Sequence, residues 1–104
     1  MSLNFVQGDT APDITSVIHE EDDPASLLDL TGCTVRFQMR KPEDRRYTVN
    51  AGALVVDAVA GRVSYSWGPN DLSVPGTYNV QWEVTYPGGR VQTTSETQIV
   101  IRRQ

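Results

Sequence analysis

Gly76-Thr77-Tyr78-Asn79-Val80-Gln81-Trp82-Glu83-Val84-Thr85-Tyr86 alternates without interruption. Tyr78, Val80, Trp82, Val84 and Tyr86 fall on one side, and Thr77, Asn79, Gln81, Glu83 and Thr85 on the other. A period of two held over this length specifies a half-buried strand and is wrong for a helix. Pro87-Gly88-Gly89-Arg90 follows, turn chemistry that exploits glycine's tolerance of positive φ. Residues 91–101 then return, rich in threonine and β-branched residues, and end in Ile99-Val100-Ile101. The unit is a β-hairpin.

The same grammar extends upstream. Residues 34–40 place Val35, Phe37 and Met39 inward and Arg36, Gln38 and Arg40 outward. Residues 53–59 and 62–67 form a second hairpin across Ala60-Gly61, with Val63, Tyr65 and Trp67 sharing a face. Shorter strands are predicted over residues 5–7 and 14–19, separated by Gly8-Asp9-Thr10-Ala11-Pro12. Residues 24–30 suit a turn of helix, and Pro69-Asn70-Asp71-Leu72 a 3₁₀ turn capped by Asn70 or Asp71. About seven short strands with regular turn signals specify an antiparallel sandwich, and no segment suits the helix of a parallel crossover. Asp71, Gly76 and Tyr78, spaced D-x-x-x-x-G-x-Y, resemble the tyrosine corner of immunoglobulin-like domains. That motif predicts a bond from the Tyr78 hydroxyl to backbone within residues 69–75. Val80 stands where an antibody domain has its second cysteine, so apolar packing must hold the sheets together. The predicted fold is an all-β, antiparallel, immunoglobulin-like β-sandwich occupying residues 1–104 as one domain.

Composition narrows the function. The chain has 104 residues, 38% hydrophobic and 21% charged, which fits neither disorder nor a membrane span. A domain of this size buries about 65% of its unfolded surface, enough for one modest core. A net charge of −4 disfavours non-specific attraction to nucleic acid or anionic lipid. Cys33 is the single cysteine, which excludes an internal disulfide and a cysteine-only zinc site. No run of about 18 apolar residues and no cleavable signal with a basic start is present, and Met1-Ser2-Leu3 carries no structural weight in this reading. The first thirty residues hold seven acids and no Lys or Arg, whereas the rest sums to +3. Such asymmetry suits a head-to-tail contact between copies unless strands from the two segments interleave.

No constellation carries chemistry. His19-Glu20-Glu21-Asp22-Asp23 is acidic, but its acids are contiguous and no glycine bends the chain round an ion, so a solvated turn is expected. His19 is the only imidazole, and G-x-S-x-G is missing, so no nucleophile–base pair is selected. Cys33 precedes an apolar strand and reads as a structural thiol. Arg40-Lys41-Pro42-Glu43-Asp44-Arg45-Arg46 mixes its charges without interleaved aromatics, the pattern of a solvated loop. Tyr65, Trp67, Trp82 and Tyr86 suit the core better than a sugar-stacking platform. No catalytic, cofactor-binding or metal-ligating residue is assigned.

Four stretches carry a family resemblance. They are Gln7-Gly8-Asp9-Thr10-Ala11-Pro12, Leu28-Asp29-Leu30-Thr31-Gly32-Cys33-Thr34-Val35-Arg36-Phe37, Gly61-Arg62-Val63-Ser64-Tyr65-Ser66-Trp67 and Pro75-Gly76-Thr77-Tyr78. Together they resemble the N-terminal domain of phage baseplate upper proteins and related tail accessory domains. The resemblance implies an immunoglobulin-like structural piece of a phage or prophage tail, with no catalytic residues to carry over. Expected partners are other tail or baseplate proteins and a second copy of the chain, with neither nucleic acid nor membrane. Expected locations are the bacterial cytoplasm during assembly and the virion afterwards. The alternative is a small carbohydrate- or surface-ligand-binding module, which requires an exposed aromatic cluster.

Overall fold

The computed structural model describes residues 3–20, 23–94 and 96–104, with backbone alone at residues 3, 20 and 23–27. The fold is all-β. Its strands are β1 (Leu3–Val6), β2 (Ile14–Val17), β3 (His19–Glu20), β4 (Asp23–Leu27), β5 (Thr34–Arg40), β6 (Val49–Gly52), β7 (Leu54–Asp57), β8 (Arg62–Tyr65), β9 (Gly76–Thr85), β10 (Val91–Thr93) and β11 (Thr97–Arg102). These eleven segments exceed the seven or so expected, and no helix occurs among the described residues.

The alternating strand β9 is the spine of the larger sheet, ordered β1-β11-β9-β5-β6, with β10 also on β9. β5 pairs along one edge of β9 from Thr34↔Thr85 to Arg40↔Asn79. The returning arm of the hairpin holds the other edge in two pieces. Thr93 lies opposite Glu83 but Thr97 opposite Val80, so the arm inserts one extra residue between β10 and β11. Thr94 accommodates it: its N–H donates to the Trp82 carbonyl at 2.9 Å, and its hydroxyl accepts the Trp82 N–H at 3.0 Å. The expected hairpin is present, closed by Tyr86 N–H to Arg90 carbonyl at 2.8 Å.

One pairing departs from the expected antiparallel pattern. β1 lies parallel to β11, from Leu3↔Ile99 to Val6↔Arg102. Absence of a crossover helix does not forbid this, because nearly the whole chain forms the connection. The smaller sheet is ordered β2-β8-β7, and β3 pairs with β4 in a separate two-stranded ribbon. β6 ends at Gly52 in the larger sheet and β7 begins at Leu54 in the smaller, so the chain changes sheet across Ala53 alone. The Ala53 N–H still bonds the Val35 carbonyl at 2.8 Å, and this corner curls one sheet toward the other.

The inner faces share one core. Val35, Phe37 and Met39 of β5 meet Tyr78, Val80, Trp82 and Val84 of β9, with Ile14, Val63 and Trp67 from across the interior. Phe37, with 0% exposure, stacks on Tyr65 at 4.7 Å and meets the Trp67 and Trp82 rings at 5.5 and 5.0 Å. Each such pair contributes about 0.5–1.5 kcal/mol beyond the area it buries. The Trp67 indole N–H reaches the Pro12 carbonyl at 3.1 Å, so burying this ring leaves no donor unpaired.

Local expectations fare unevenly. The Tyr78 hydroxyl donates to the Val74 carbonyl at 2.8 Å, inside the expected span. Residues 69–72 form turns rather than a 3₁₀ helix. Asp71 does close that turn, accepting the Gly68 N–H at 2.7 Å and the Tyr65 hydroxyl at 2.5 Å. Residues 24–27, expected to be helical, belong to β4. Gln38 faces outward on its sheet yet is buried, because Asn50, Gln81 and Glu83 surround it and Tyr47 bonds Gln81 from above.

Candidate protein-interaction surface

The residues weighed for chemistry do not converge. Trp67 and Trp82 are buried, and Tyr65 and Tyr86 are half-buried against the core. Their hydroxyls are engaged, Tyr65 with Asp71 and Tyr86 with Gln92. A flat aromatic platform for sugar rings is therefore not formed by these four residues. Burial, then the Asp71 bond and charge, push the Tyr65 hydroxyl up to about 12. Cys33 is half-buried, and desolvation followed by the charge of Asp29 raises its thiol above the ordinary range, which suppresses the nucleophilic thiolate. Asp29 itself is held below the usual carboxylate range by the side-chain and backbone bonds from Thr31.

The mixed-charge loop folds back on itself. Arg40 donates to the carbonyls of Asp44 at 3.0 Å and Pro42 at 3.5 Å, and pairs with Glu96 at 3.0 Å. Its exposed ion pair is a surface contact of at most about 1 kcal/mol. In the acidic run, Glu20 pairs with Asp23 across the β3–β4 ribbon, while Glu21 and Asp22 lie outside the described residues. Strands from the acidic N-terminal segment enter both sheets, β1 the larger and β2 the smaller, but neither carries an acid, and the seven acids lie outside these two strands.

Accessible backbone and apolar surface remain. Residues 5–7 and 91–98 contain no lysine and no proline to discourage pairing, a composition that suits outer strands open to a partner. β1 is indeed an edge, and β10 pairs only with β9, but β11 is enclosed between β9 and β1. β2 and β7 are the edges of the smaller sheet. Leu54, Val56 and Val59, around β7 and its hairpin, are 65%, 52% and 70% exposed. The free sides of β2 and β10 border one cleft of about 300 Å³, lined by Ile14, Thr15, Ser16, Val17, Ile18 and His19 on one wall. Gln92, Thr93, Thr94 and Thr97 form the other wall, with Val80 and Trp82 between them. No local pattern in the sequence shows that β2 and β10, edges of different sheets, would border one cleft.

The family model of the BppU N-terminal domain, the N-terminal domain of baseplate upper proteins, matches residues 2–103. The chain belongs to that family. The resemblance read from the four sequence stretches is thereby confirmed over nearly the whole length, and it marks the protein as a phage baseplate accessory domain. A comparison with curated proteins finds no match. The BppU N-terminal domain family is a structural baseplate one.

Proposed function

We propose that this BppU N-terminal domain is a non-catalytic structural and interaction module of a bacteriophage or prophage tail baseplate, acting through contacts with neighbouring baseplate proteins. The carrying observation is the set of open strand edges, beside which Leu54, Val56 and Val59 expose apolar surface. The immunoglobulin-like reading of the fold, as one domain, is supported by the Tyr78–Val74 corner and by two sheets enclosing one core. Assembly in the bacterial cytoplasm followed by residence in the virion follows from the same reading. The carbohydrate-binding alternative loses its platform to the core, since Trp67 and Trp82 lie inside.

Co-expression with the baseplate proteins encoded beside it tests the proposal. A stoichiometric complex, with the chain recovered in purified particles, is the expected result. A strict monomer that ignores those proteins and binds a glycan array would overturn it.

A further inference from the structure

The cleft between β2 and β10 has the donors and acceptors of a missing strand. Ile18 N–H bonds the Gly61 carbonyl at 2.8 Å, continuing the register that sets Ser16 opposite Val63 and Ile14 opposite Tyr65. Antiparallel ladders alternate, so those residues spend their peptide groups on β8 while Thr15 and Val17 turn theirs outward. On the other wall, Tyr86 N–H bonds the Arg90 carbonyl and Thr94 N–H the Trp82 carbonyl. By the same alternation Gln92 faces β9, and Val91 and Thr93 face away. Two rows of peptide groups thus border one space.

The side chains select among occupants. None of the twelve lining residues is Asp, Glu, Lys or Arg, and there is no proline. Charged side chains and proline, two of the devices that normally deter strand addition, are thus missing from this lining. A charged segment would lose hydration here without gaining a counter-ion, whereas a neutral extended one matches both the peptide groups and the threonine-rich walls.

We infer that the cleft receives an extended, uncharged polypeptide segment of a partner protein, which adds as a strand to the free edge of β2. This rests on the interaction-module reading above and specifies its mode. Small hydroxyl-bearing and β-branched residues at alternate positions suit the space over Val80 and Trp82, and the partner's backbone supplies most of the recognition.

The probe is the capped peptide Ser-Val-Thr-Val-Gln-Val-Thr-Ser, titrated into the full chain while amide exchange is followed by NMR. The expected result is slowed exchange at Thr15 and Val17. The same peptide N-methylated at alternate residues, or carrying lysine at its threonines, should bind at least about tenfold more weakly. Thr15→Pro removes an N–H that the β2–β8 ladder does not use, and Thr93→Lys places a charge on the opposite wall, so each should keep the fold and weaken binding by a similar factor. Unchanged exchange at Thr15 and Val17 at millimolar peptide would overturn the inference, as would equal binding of the N-methylated peptide. Concentration-dependent protection of those amides without peptide would give the cleft to a second copy and overturn it too. Normal complex formation by Thr15→Pro with baseplate proteins would remove the cleft while leaving the broader function standing.

Discussion

The Tyr78 hydroxyl reaches back four residues and donates to the carbonyl of Val74 at 2.8 Å. The ring beneath is buried at 1% exposure, so the bond ties the connection between the sheets to the strand at the centre of the larger one. Tyr78→Phe keeps the ring and removes the donor. It should cost about 1–2 kcal/mol, read as a lower urea midpoint with an unchanged slope. A variant as stable as the parent would show that water replaces the hydroxyl without loss.

The Tyr65–Asp71 contact predicts a loss of stability in alkali. Burial, then the Asp71 bond and charge, push the Tyr65 hydroxyl from 10.0 up to about 12. Below the lower value both folded and unfolded chains keep the proton, and the contribution is complete. Between the two values the unfolded chain releases it first, so the unfolded state binds fewer protons and stability falls as pH rises. Tyr78 is shifted in the same direction, by burial first and then by Glu43 and Asp44. Urea midpoints measured across this interval should decline, and Tyr65→Phe should decline less steeply. Equal slopes would remove Tyr65 as a cause.

Gly61 separates backbone need from mere turn composition. Its φ is +68°, and a Cβ there would lie 2.6 Å from the Ile18 carbonyl oxygen and 2.8 Å from that of Leu28. Gly61→Ala should therefore cost about 2 kcal/mol or more. Gly88 has open space around it, and Gly88→Ala should stay within about 0.5 kcal/mol of the parent. Thermal melts of the two variants side by side provide the check.

Cys33 should behave as a slow thiol. Desolvation and the Asp29 charge both raise it, so less thiolate is present near neutral pH than in a free cysteine. A disulfide-exchange reagent should modify the folded protein more slowly than a small free thiol, and urea should abolish the difference. Rapid modification of the folded chain would contradict the burial argument.

The alternation of β9 made its buried face legible in the sequence, and the spacing of Gly76 and Tyr78 made the corner legible, because both depend on neighbours within a few residues. β6 was not legible: Val49-Asn50-Ala51-Gly52 has little intrinsic strand preference and becomes a strand by pairing with β5. Gln38 read correctly as outward, but its burial comes from Asn50, Gln81 and Glu83, brought in by separate strands. The parallel partnership of β1 and β11 links opposite ends of the chain and leaves no local pattern. The cleft was hidden for the same reason, since its two walls belong to different sheets.

The parallel terminal strands also decide how the molecule answers tension. With Leu3 beside Ile99 and Val6 beside Arg102, a pull on the preceding and following chain drags β1 and β11 past each other along their length. The ladder is then loaded all at once, where an antiparallel pair drawn from one end would peel bond by bond. Forced unfolding is governed by the barrier to rupture rather than by equilibrium stability. Stretched from its two ends, the domain resists as a lap joint and not as a zip.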